Sequence, residues 1–178
     1  MKKRTPTKDL FRFTSMLERS SNKLWGSHFR VPNHIAKRFT DGYSHRVVCT
    51  LNDSVTYQCA LRAQRDDVFV IPVNKKLRDT LGLAFGMEVD VSLRKDESEY
   101  GLPLPEELHE LLQQDPVGKR MFHALTRGKQ RTLLYIVGSA KSSEKRITRA
   151  IAVVGHLKSN GGKINYKQLN ALLKNPRR

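Results

Sequence analysis

Between residues 11 and 93 one order of events occurs twice, and this doubling constrains the fold more than any other feature of the chain. Phe11, Phe13, Ser15 and Leu17 alternate with Arg12, Thr14, Met16 and Glu18, the period-two signature of a half-buried strand. Ser20-Ser21-Asn22-Lys23 reads as a turn, after which Trp25, Ser27, Phe29 and Val31 alternate up to Pro32. Proline removes a backbone donor and is expected to end that strand. Asn33 can cap a short helix over 34–39, and Asp41-Gly42 releases the chain into a strand at Arg46–Leu51. The second round has a strand at 57–61, a turn at Arg65-Asp66-Asp67 and a strand at 68–71 stopped by Pro72. Asn74 then caps a helix over 75–81, Gly82 supplies a left-handed stop, and Gly86 leads into a strand at 89–93.

The rounds align at offsets of 40, 44 and 42 residues: Phe29-Arg30-Val31-Pro32 with Phe69-Val70-Ile71-Pro72, Phe13 and Leu17 with Tyr57 and Leu61, and Leu51 with Leu93. Two ordinary strand-helix-strand units could look alike by chance. Otherwise residues 10–99 form two β-β-α-β halves of one pseudo-twofold barrel, each covering edges that the other leaves open. Phe29 and Phe69 then point inward. The segment from Ile71-Pro72-Val73-Asn74 through Leu81-Gly82-Leu83, Gly86 and residues 89–93 resembles the swapped-hairpin pattern of AbrB-type and MazE-type double-split barrels. The expected fold class is thus α+β: an N-terminal double-split-type β-barrel from two β-β-α-β halves, followed by a C-terminal helical region.

Leu102-Pro103-Leu104-Pro105 is a stiff linker, because each proline restricts itself and its predecessor. A helix is expected at Glu106–Gln114. Pro116 separates it from a longer helical stretch that Gly128 is expected to break in two. Ser142 or Ser143 can cap a further helix on which Ile147, Ala150, Ile151 and Val154 form one apolar stripe. Ser159-Asn160-Gly161-Gly162 ends it, leaving a short helix and frayed tail within 161–178. Residues 1–9 are expected to be a disordered basic tail.

The net charge is +16, and almost all of it is at one end. Residues 1–115 hold 18 Lys and Arg against 16 Asp and Glu, whereas residues 116–178 hold 15 against the single acid Glu144. Such a surface attracts polyanions, so an anionic partner is expected: nucleic acid, anionic lipid or acidic protein. A solvated helical face that only aids solubility is the bland alternative. Candidate anion-binding residues are Lys141, Lys145, Arg146 and Arg149, with Arg127, Lys129 and Arg131. No apolar run approaches membrane-spanning length, and no apolar segment follows Met1-Lys2-Lys3-Arg4 to make an export signal. Cys49 and Cys59, flanking a hairpin that puts Cys49 opposite residue 56 or 57, are expected to be free, partly buried thiols. The expected location is the reducing cytoplasm.

No catalytic constellation emerges. Gly128-Lys129 lacks the remaining residues of a phosphate-binding loop, and Val137-Gly138-Ser139-Ala140 lacks the second glycine of a nucleophile elbow. Six histidines show no metal-ligand spacing, and Asp66-Asp67 reads as a turn. The expectation is a protein without catalytic residues, metal or cofactor. An enzyme whose residues assemble only in space stays open.

Trp25, Val31-Pro32 and the run from Leu81-Gly82 to Val89 resemble a small bacterial barrel domain of unknown function. Residues 103–108, Phe122, Leu125, Arg131, Tyr135-Ile136, Ala140-Lys141 and Glu144-Lys145-Arg146 resemble the helical region of the YdeI or OmpD-associated type, also labelled bacteriocin-protection. The resemblance places that region at 100–160. It implies a bacterial protein associated with envelope stress or resistance to cationic peptides, and it implies no reaction. A non-enzymatic binding or stress-protection role is therefore the first reading. The alternative is an AbrB-like DNA-binding regulator using Arg62 and Arg65.

Overall fold

The computed structural model describes residues 10–21, 26–40 and 45–174, in two compact units, the first through Glu97 and the second from Ser98. The tails, Trp25, Asn22-Lys23 and Asp41-Gly42 lie outside the described residues. The first unit comprises β1 (Phe11–Arg19), β2 (Ser27–Val31), α1 (Asn33–Thr40), β3 (Arg46–Leu51), β4 (Val55–Ala60) and β5 (Arg62–Ala63). A 3₁₀ turn at Arg65–Asp67 leads to β6 (Phe69–Val73), α2 (Lys75–Thr80) and β7 (Glu88–Lys95). The strands form one curled antiparallel sheet in the order β4-β3-β7-β1-β2-β6-β5. Its two end strands are consecutive in the chain, joined only by the buried Leu61, so the half-barrel turns back on itself there.

The doubling extends to register. Exchanging β1 with β4 and β5 taken together as one split strand, β2 with β6 and β3 with β7 maps the strand neighbours onto themselves. Phe29↔Ile71 and Val31↔Phe69 lie symmetrically about Arg30↔Val70, and Cys49↔Leu93 and Leu51↔Val91 about Thr50↔Ser92. Phe13↔Val91 recurs as Tyr57↔Cys49. The match breaks at Leu61. Its counterpart Leu17 pairs with Phe29 inside a continuous β1, but the second half splits at Leu61, and Phe69 pairs instead with Ala63 in β5.

The core lies on the concave face, where Leu17, Phe29, Ile71 and Leu93 are buried together with Ile35 and Phe39 of α1. Phe29 is fully buried, whereas Phe69 is half-buried against the same core, near the split. Pro72 does not end its strand: it pairs with His28 inside β6. The β5 ladder reaches only to Val70, so β6 has an unpaired side where a missing N–H costs nothing. Asn74 Oδ1 accepts from Leu77 N–H at 2.8 Å, and Gly82 leaves α2 at φ 61°. Cys49 sits opposite Tyr57, and both thiols are free. The Cys49 hydrogen bond and burial push the Cys59 thiol well up.

The second unit contains α3 (Glu106–Gln114), α4 (Pro116–His123), α5 (Arg127–Gly138), α6 (Ser143–Ser159) and α7 (Tyr166–Lys174). Asp115 caps α4, accepting from Gly118 N–H at 2.9 Å, and Pro116 takes the first helical position, where no donor is needed. The break after α4 is at 124–126 rather than at Gly128. Thr126 caps α5, and Gly128 lies inside its first turn. Helix α6 packs against α3, α4, α5 and α7. Its buried stripe is therefore Ala150, Val153, Val154 and Leu157, while Ile147 and Ile151, expected on that stripe, are exposed. Among the described residues no helix is long and apolar enough to cross a membrane.

Candidate anion-binding surface

Four of the seven candidate cations hold the helical unit together. The α5 C-terminus presents carbonyls without intrahelical partners, and two arginines of α6 satisfy that end. Arg149 Nη1 donates to Ile136 O at 2.8 Å and to Ser139 Oγ at 2.9 Å. Arg146 donates through Nε to Glu107 Oε1 at 2.8 Å and through Nη1 to Ala140 O at 3.3 Å. The placement also sets a positive group against the negative end of the α5 dipole. The Arg146 hydrogen bond, the Glu107 backbone amide and the Ser143 hydroxyl lower the Glu107 carboxyl to about 2.

At the other end of α5, Arg127 donates to Gln130 Oε1 at 3.2 Å, lies 3.8 Å from Glu99 and stands over the Tyr100 ring at 5.6 Å. Arg131 donates to Tyr100 O at 3.5 Å. Gln130 is almost fully buried and donates to Phe122 O at 3.0 Å, tying α5 to the end of α4. Sequence reading did not single out Gln130, since nothing in a Thr-Arg-Gly-Lys-Gln run announces burial. It also passed over Lys158, whose Nζ lies 2.8 Å from Asp115 Oδ2. The backbone amide of Gly118 and the Lys158 ammonium hold the Asp115 carboxyl below its ordinary value.

Lys129, Lys141 and Lys145 are different. All three are exposed, and none forms an ion pair or side-chain hydrogen bond among the described residues. Lys141 lies just before Ser142, the cap of α6, Lys145 in the first turn of that helix, and Lys129 in the first turn of α5. Folding also changes the charge count. The described part of this unit, 98–174, has 13 Lys and Arg against six Asp and Glu, because Glu99, the α3 acids and Asp115 belong to it. Half of those acids are committed to Arg127, Arg146 and Lys158. The excess is smaller than the count after residue 115 suggests, and lysines carry much of it.

In the first unit Arg62 lies on β5 and Arg65 on the 3₁₀ turn, both exposed. Arg65 borders a polar cleft of about 680 Å³ together with Arg30 and Asp66. Arg30 is held by Glu18 at 2.8 Å, and Asp66 and Asp67 follow Arg65 directly with positive φ. Of the histidines, His156 is buried and accepts from Asn165 N–H through Nε2 at 3.0 Å, a neutral structural role. Among the described residues no group of His, Cys, Asp or Glu could hold a metal ion.

A curled antiparallel sheet unit followed by a helical unit with a lysine-rich surface defines the class. Residues 13–93 match the family described as Domain of unknown function (DUF1905), and residues 102–160 match Bacteriocin-protection, YdeI or OmpD-Associated. The sheet unit is thus similar to that domain family and the helical unit to the YdeI or OmpD-associated family, each over the matched residues. A comparison with curated proteins found no significant match.

Proposed function

We propose that the protein is a non-catalytic binding module of the cytoplasm, whose helical unit contacts a polyanion through Lys129, Lys141 and Lys145. The observation that carries this reading is a division of labour: Arg131, Arg146 and Arg149 are partly buried in internal contacts and the exposed Arg127 faces Glu99, while these three ammonium groups have no partner among the described residues. Free Lys side chains are point charges suited to phosphate or carboxylate without demanding a fixed geometry. The family description of bacteriocin protection fits a role in binding rather than transformation. Two free thiols fit a reducing compartment.

The DNA-reading alternative has Arg62 and Arg65 in its favour as exposed neighbours, but Asp66 and Asp67 beside them oppose phosphate contact. Duplex DNA, phosphatidylserine vesicles and polyglutamate, tested separately at about 50 mM salt, distinguish the polyanion classes under conditions where such contacts are strong. At least one should bind. Its affinity should fall in the Lys129→Gln/Lys141→Gln/Lys145→Gln variant and persist in Arg62→Gln/Arg65→Gln. Binding to none of the probes, or equal binding by the triple-lysine variant, would contradict the reading.

A further inference from the structure

Phe85 stands in the turn at 84–87 that leads from α2 into β7, and the backbone holds it away from the core. Met87 N–H donates to Ala84 O at 3.2 Å, and Gly86 takes φ 84°. Gly86 N–H donates to Leu17 O and Leu17 N–H to Met87 O, both at 2.9 Å, so the turn is clamped to β1. A rigid turn thus displays a phenyl ring that remains 39% exposed. Arg19 at the end of β1 and Arg78 in α2 bring their guanidinium carbons to 4.4 and 5.0 Å from its centroid.

Two like charges gathered on one ring repel each other, and the ring quadrupole attracts each of them. No carboxylate forms an ion pair with either arginine among the described residues. Stacking occupies a guanidinium's face and leaves its in-plane N–H edge free, the edge that grips phosphate bidentately. Lys75, exposed three residues before Arg78, lies on the same side of α2. Covering the arginine stems would need only an apolar side chain, whereas a clamped aromatic with two unneutralised guanidiniums suits a ligand that combines anions with flat rings.

We infer that the Arg19–Phe85–Arg78 cluster binds single-stranded nucleic acid. Phosphates take the guanidinium edges, and unstacked bases lie on the outer guanidinium faces and the exposed rim of Phe85. A duplex offers phosphates but keeps its bases stacked, and an acidic peptide offers carboxylates without rings. The site lies in the first unit and is independent of the three lysines proposed above.

The test is fluorescence anisotropy of the full chain with a labelled oligothymidylate of about 16 nucleotides, the upper end of single-module site sizes. Arg19→Gln/Arg78→Gln should weaken binding about tenfold or more at low salt, and should reduce the salt slope by about 1.4, since each single-strand phosphate contact contributes roughly 0.7. Phe85→Leu should weaken binding and Phe85→Trp should retain it, with thermal unfolding confirming that all the variants fold. The same arginine-dependent loss should persist in a background lacking Lys129, Lys141 and Lys145. Wild-type affinity in the folded double-arginine variant or in Phe85→Leu would overturn the inference. In that triple-lysine background, tighter binding of a duplex, or competition by polyglutamate as effective as that by unlabelled oligonucleotide, would overturn it as well.

Discussion

Glu107 accepts hydrogen bonds from Arg146 Nε and Ser143 Oγ at 2.8 Å each, and the resulting carboxyl value of about 2 compares with an ordinary 4.5. A carboxyl depressed by folding stabilises the native state above its unfolded value, and that contribution disappears as the pH falls from 4.5 toward 2. Acid unfolding of the helical unit should therefore steepen in that window, and Glu107→Gln should flatten it; equal slopes in the two proteins would contradict the pairing. Gly118 is a second residue whose role comes from packing. A Cβ placed there would lie 2.5 Å from Val154 Cγ1 and 3.1 Å from Asp115 Oδ2. Alanine normally favours a helix by about 1 kcal/mol over glycine. Here Gly118→Ala should instead destabilise by about 1 to 3 kcal/mol in chemical denaturation, the usual cost of overpacking. A gain in stability would show that Val154 yields freely.

At the scale of elements, the first unit was largely legible because its signals are local. Alternation along β1, the Asn74 cap and the Gly82 stop each depend on residues within a few positions, and the strand matches at 40, 42 and 44 reappear as register. Pro72 misled because tolerance of a proline depends on whether the neighbouring strand reaches that far, which a single strand's sequence does not record. Gly128 misled in the same way: Thr126, whose hydroxyl accepts from Lys129 N–H, decides where α5 begins. The candidate cationic site was half legible. Sequence showed where the basic residues are, but only the arrival of Glu107, Tyr100 and the α5 carbonyls separates structural arginines from free lysines. Core direction gives the element-scale prediction. Phe29→Ala should cost about 3 to 5 kcal/mol. Phe69→Ala, half-buried beside the split at Leu61, should cost clearly less, and equal losses in denaturant titrations would contradict the difference in burial.

For the whole molecule, the distribution of charge matters more than its total of +16. The described part of the helical unit holds six acids, commits three of them to Arg127, Arg146 and Lys158, and leaves Lys129, Lys141 and Lys145 outward. Electrostatic binding through such groups releases counterions, so its salt dependence counts the contacts made. The most direct test is the slope of log affinity against log salt for duplex DNA, measured on wild type and on Lys129→Gln/Lys141→Gln/Lys145→Gln. The account predicts a steep wild-type slope that flattens by up to about 2.7 in the variant, at roughly 0.9 per phosphate contact. Identical slopes would contradict it, as would the same flattening produced by Arg146→Gln/Arg149→Gln with the fold intact.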